Sequence, residues 1–138
     1  MIVRIASGVF ETLVAEAAGA GATECCGLLV GTPGSIVAAV PAANVAAHPE
    51  RGFEIDPATL LRTHREARAE GHRVIGHYHS HPNGSPEPSL RDAARAVEDG
   101  QVWLIIAAGQ VHGWHVVSND PGGSALHGRF LPVTLEHG

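Results

Sequence analysis

The hydrophobic pattern changes period several times along the chain, and each change marks an element. Residues 1–5 predict a short strand. Phe10, Leu13, Val14 and Ala17 then recur at helical spacing, which predicts a helix capped by Ser7 and ended by Gly19 and Gly21. Two apolar runs, 26–30 and 36–40, predict strands joined through Gly31-Thr32-Pro33-Gly34 as a hairpin. Residues 41–51 lack a period and predict a loop, 53–56 an extended segment, and Pro57 the first turn of a helix running to Glu70, where Gly71 stops it. Residues 73–81 form a mostly apolar strand broken by Pro82 and Asn83-Gly84. Pro86 and Pro88 stiffen the next loop, and Ser89 opens a helix with Leu90, Ala93, Ala94 and Val97 on one side and Gly100 at its end. Residues 102–107, 113–117 and 126–133 predict three further strands, with turns at Gly109 and at Asn119-Asp120-Pro121-Gly122-Gly123. The pattern contains no repeat, linker or low-complexity tract.

With 138 residues, 44% of them hydrophobic, the chain can build one core, and a single domain over 1–138 is expected. A net charge of −5 argues against nucleic acid as a partner, and the lack of a basic run argues against an anionic membrane surface. All nine basic residues are arginines, so a lysine nucleophile or Schiff base is excluded. Cys25 and Cys26 are adjacent, where a disulfide would be strained. The apolar run at the N-terminus is too short for a signal peptide, and no segment has transmembrane length, so a cytoplasmic location is expected. Asn83-Gly84-Ser85 matches a glycosylation sequon but reads more simply as a turn.

The candidate chemistry lies in His79-Ser80-His81-Pro82, followed by Ser89 and Asp92. In an extended segment, alternate side chains share a face, so both imidazoles would point at one spot. A carboxylate returning from the following helix, Asp92, would complete the three protein ligands of a catalytic zinc site whose fourth position holds water. In a chain with ten histidines a lone His-x-His pair says little, and Ser89-x-x-Asp92 alone is an ordinary helix cap. The readings are compatible, because a capped first turn is a rigid platform for a ligand. Ser89, three residues before Asp92, would lie near the reacting water or an oxyanion. A zinc hydrolase also needs a carboxylate base, and of ten glutamates Glu24 adjoins the apolar run 25–30, where partial burial would raise its pKa.

Glu24, His79-Ser80-His81-Pro82, six intervening residues, Ser89, two more and Asp92 together resemble the ordered motif of the JAMM (MPN-plus, Mov34/PAD-1) metalloproteases. The similarity extends through Glu24-Cys25-Cys26-Gly27-Leu28-Leu29 and Phe53-Glu54-Ile55-Asp56-Pro57, over roughly residues 1–118. It implies an α/β, single-domain, cytidine-deaminase-like (JAB1/MPN) fold, a mixed β-sheet flanked by helices. It also implies zinc bound by His79, His81 and Asp92, Glu24 as general base and acid, and Ser89 assisting the oxyanion. The implied partner is a ubiquitin-like or sulfur-carrier protein with a C-terminal Gly-Gly, cleaved at the peptide or isopeptide bond that follows.

His77 departs from the family, where an aromatic is commoner; it shares strand parity with His79 and His81, but a fourth protein ligand would close the site to water. Cys26 reads as a small core residue. The alternatives to a metallopeptidase are weaker. A deaminase needs Pro-Cys-x-x-Cys beside its His-x-Glu, and His48-Pro49-Glu50 has no such partner. A nucleotide loop at Gly19-x-Gly21 lacks its third glycine. A catalytically silent MPN-type binding module would not need the complete constellation.

Overall fold

The computed structural model describes residues 1–96, 98–118 and 122–138. Among them are strands β1 (Ile2–Ile5), β2 (Cys26–Thr32), β3 (Ser35–Ala42), β4 (Arg73–Ser80), β5 (Val102–Ala107), β6 (Gln110–Val116) and β7 (Phe130–His137), with helices α1 (Val9–Ala20), α2 (Pro57–Ala69) and α3 (Leu90–Arg95). The strands lie in the order β1-β3-β2-β4-β5-β6-β7, and β1 closes them into a barrel by pairing in parallel with both β3 and β7. The β4–β5 pair is also parallel and the remaining pairs are antiparallel, so the sheet is mixed, as expected, and it is closed.

Strand alternation sorts β4 between two cores. Tyr78 faces the larger one with Val3, Ile5, Leu13, Leu29, Leu104 and Ile106, beneath α1. His77 and His79 face the other way, against Phe53 and Trp103. Trp103 belongs to a second cluster with Ala96, Val116 and Phe130. The functional face is therefore the one opposite α1, and α3 lies within the crossover from β4 to its parallel neighbour β5. Crevices beyond the carboxyl ends of parallel strands are the usual binding position in such sheets.

Gly76 sets how closely β4 and β5 approach. A Cβ there would lie 1.7 Å from the carbonyl oxygen of Val102, which is backbone and has no rotamer through which to yield. Gly76→Ala is expected to destabilise the fold by about 3 kcal/mol. That loss should be read as a lower denaturant midpoint, and an unchanged midpoint would show that the two strands can separate freely.

Several elements depart from the sequence pattern. Ser7 does not cap α1, which starts from Gly8 in the left-handed region without a side-chain cap. Gly21 ends that helix while Gly19 lies within it. Strand β4 ends at Ser80, leaving His81 just beyond it. Helix α3 stops at Arg95 rather than running to Gly100, because the chain must turn back to enter β5 and Ala96 already leaves helical geometry. Leu90, expected on the apolar side of α3, is 74% exposed. The last strand is displaced from 126–133 to Phe130–His137: Leu126 makes only an isolated bridge to Phe130 across a turn in which His127 and Gly128 have positive φ. Val97 and the expected turn residues Asn119, Asp120 and Pro121 lie outside the described residues.

Candidate metal centre

His79 comes from the end of β4, His81 from the residue after it, and Asp92 from the first turn of α3. Their donor atoms converge. His79 Nε2 lies 3.1 Å from His81 Nε2, and Asp92 Oδ2 is 3.3 Å from the first and 3.1 Å from the second. Donors bound tetrahedrally at about 2.0–2.1 Å from one ion would be about 3.3 Å apart. Two imidazole nitrogens and a carboxylate oxygen, mutually spaced in this way and buried, fit a divalent metal.

Local structure explains the convergence. Ser89 and Asp92 form a reciprocal capping box, with Ser89 Oγ accepting from the Asp92 amide at 3.0 Å and Asp92 Oδ2 accepting from the Ser89 amide at 2.9 Å. The helix cap and the carboxylate donor are thus one feature. His81 Nδ1 donates to the carbonyl of Ser85 at 2.9 Å, which orients the ring and turns Nε2 toward Asp92 and the metal position. The His79 ring is held by packing instead, stacked on Phe53 at 4.4 Å and edge-on to Trp103 at 5.9 Å. Phe53 is in turn covered by the Arg95 guanidinium, 4.7 Å from its ring centre.

Glu24 reaches the same spot from the residues preceding β2. It offers an oxygen within 4.8 Å of the donor atoms of both His79 and His81. Its backbone is pinned on both sides: its amide donates to the Pro49 carbonyl at 2.7 Å, and its carbonyl accepts from Asn44 Nδ2 at 2.8 Å. The side chain is only 8% exposed, and Oε1 has no hydrogen-bond partner among the described residues. Glu24 could join the two histidines in place of Asp92. The closer fit of Asp92 to both rings makes Asp92 the better third donor and leaves Glu24 beside the metal position.

The electrostatics follow from burial and pairing. Burial lifts the Glu24 carboxyl to about 7; His81 opposes this and Asp92 adds to it. Burial likewise disfavours a charged Asp92, but hydrogen bonds with His79 and His81 outweigh it and hold that carboxyl far below its ordinary range. His79 is pushed down by burial, against the pull of Asp92. His81 is pushed up: burial works against its charge, but Asp92 and the Ser85 carbonyl prevail.

The other residues singled out in the sequence stand apart from this centre. His77 packs between Trp103, at 4.2 Å, and Phe53, at 5.1 Å, and burial drives its pKa well below the usual value. Cys26 is fully buried in β2, opposite His79 in register, and burial raises its thiol to about 12, the state of an inert core residue. Trp103 and Asn44 carried no signal in the sequence, and Phe53 and Ser85 entered it only within a family-like segment and a turn, because each acts through packing or backbone geometry that spacing does not encode. The centre opens on a cleft of about 500 Å³ lined by Glu24, His81, Ser89, Arg51, Leu90 and His127, among others.

Comparison with known proteins places this geometry. The chain is 40% identical over 91 residues to a protein named Desampylase from Haloferax volcanii, covering 64% of this chain and 66% of that one. It is 37% identical over 57 residues to a probable TtuB-protein conjugate cleaving protease of Thermus thermophilus, covering 41% and 38%. The chain thus spans just under two thirds of the first relative's length and well under half of the second's. A JAB1/MPN domain protein from Archaeoglobus fulgidus shares the fold at a TM-score of 0.59 and 17% identity, over 97% of each chain. The family model for prokaryotic homologs of the JAB domain matches residues 6–119, and the chain belongs to that family.

Proposed function

We propose that this protein is a zinc-dependent isopeptidase or peptidase that cuts after the C-terminal Gly-Gly of a ubiquitin-like or sulfur-carrier protein. The observation that carries this reading is the juxtaposition of three donors no more than 3.3 Å apart with a buried carboxylate, at a cleft, whose Oε1 has no hydrogen-bond partner among the described residues. The names of the two relatives, a desampylase and a probable conjugate-cleaving protease, support the substrate class.

Zinc held by His79, His81 and Asp92 supplies, when bound, a Lewis acid that polarises the scissile carbonyl and acidifies a water. The chain's own groups move the protons. Glu24 Oε1 accepts one from the attacking water and delivers it to the leaving amine, a role suited to a carboxyl already raised toward neutrality by burial. Ser89 Oγ receives the Asp92 amide hydrogen, so its own hydroxyl proton remains free to donate to the developing oxyanion. Glycines at the scissile end of the substrate carry no side chain to clash with the cleft wall formed by Pro82, Pro88 and Leu90.

The test is incubation of the zinc-loaded protein with ubiquitin-like carriers ending in Gly-Gly, joined to a C-terminal extension, to a cysteine or to a lysine side chain, read by intact mass. Release of the free carrier, abolished by chelation and restored by zinc, is the expected result. Stoichiometric zinc without cleavage of any of the three would instead favour a silent metal-binding module.

A further inference from the structure

The family match ends at residue 119, yet the chain beyond it returns to the metal centre. The geometry points to the turn at residues 126–130 as a clamp that holds α3, and with it Asp92 and Ser89, with His127 as its positioning residue. This rests on the assignment of Asp92 as a metal ligand proposed above.

Helix α3 has six residues, too few to persist without outside support. The turn grips both ends of it. His127 Nε2 donates to the carbonyl of Pro88, immediately before the capping residue Ser89, at 3.0 Å. Two residues on, the Arg129 guanidinium donates to the carbonyl of Ala96, the residue that ends the helix, and pairs with Asp99 at 3.7 Å. The turn is itself anchored, since Phe130 is fully buried and packs 5.0 Å from Trp103, the ring that flanks His79. From β6, Trp114 Nε1 adds a 3.0 Å bond to the carbonyl of Pro86 on the same loop.

The backbone at His127 singles it out. Its φ is +52°, in the left-handed region that residues other than glycine seldom occupy. Such a conformation persists where the surroundings enforce it, and here it aims the imidazole at Pro88. His127 also lines the cleft, but its bond runs to the loop, so it acts through Ser89 and Asp92 rather than on substrate.

The expected consequence is local. His127→Ala removes the donor, and His127→Gln replaces it with an amide N–H of similar reach. In the metal-free protein, His127→Ala should speed hydrogen exchange at the Asp92 and Ala93 amides about 10-fold while leaving those of β4 and β5 unchanged. With metal, it should weaken zinc binding about 10-fold in a chelator competition, the lower end of the loss seen for outer partners of metal ligands. His127→Gln should restore both, which a merely bulky or space-filling histidine would not. Wild-type exchange and wild-type zinc affinity in His127→Ala would overturn the clamp, as would failure of the glutamine to rescue. If the wild-type protein itself takes up no zinc, the ligand assignment fails, while the exchange measurement on metal-free protein still decides the clamp.

Discussion

Glu24→Gln is expected to bind zinc as the wild-type protein does and to hydrolyse a Gly-Gly conjugate about 100 to 10,000 times more slowly, the range associated with loss of a positioned general base. The substitution preserves the shape of a side chain that is nearly buried, and the backbone bonds to Pro49 and Asn44 that aim it do not involve the carboxylate. What it removes is proton affinity at Oε1. The pH profile gives an independent reading of the same group. A base must be deprotonated, so wild-type activity should fall as pH drops through the pKa of Glu24, which burial raises to about 7 in the metal-free chain. A nearby bound cation favours the carboxylate, so the acid limb should lie at or below that value. Full hydrolysis by Glu24→Gln, with zinc content unchanged, would falsify the assignment of Glu24 as the base.

The convergence of His79, His81 and Asp92 was legible because each link depends on short-range geometry. Alternation along a strand puts two imidazoles on one face, and a Ser-x-x-Asp cap fixes the first turn of a helix regardless of what surrounds it. Glu24 lies 55 residues before His79 and was tied to the histidines only through the family resemblance, since no local period connects them. Its burial was legible in a weaker sense, from the apolar run that follows it. The barrel closure through β1 was not, because a four-residue strand says nothing about which edges it will join. Nor was the C-terminal end of α3 or the exposure of Leu90, which fits a helical stripe yet stands in solvent, and the supports of the helix are side chains more than 30 residues later in the chain. Local pattern specifies an element, whereas its limits are set by contacts from elsewhere.

Asp92 concentrates the largest structural consequences, because one oxygen serves three partners. Oδ2 accepts from the Ser89 amide and lies against both His79 Nε2 and His81 Nε2. Two substitutions separate these roles. Asp92→Asn retains a carbonyl oxygen for the cap but loses the anionic donor, so zinc affinity should fall by more than the ~10–100-fold typical of an outer partner, and the metal-free fold should lose the charge pairing with the two imidazoles but keep its helix cap. Asp92→Ala should lose zinc as completely and also lose the cap, at a further cost of about 1 kcal/mol in the denaturant midpoint. Wild-type zinc affinity in Asp92→Asn would leave Glu24 as the third ligand and reverse the roles of the two carboxylates. Proton competition offers a further check. In the metal-free protein His81 holds its proton more tightly than an ordinary histidine, chiefly because Asp92 and the Ser85 carbonyl outweigh the penalty of burial. Zinc must displace that proton, so wild-type uptake should weaken as pH falls through this raised value, with proton release on binding measurable in weakly buffered solution. Removing the Asp92 charge takes away the anion that favours imidazolium at both rings, and proton release per metal bound should shrink accordingly.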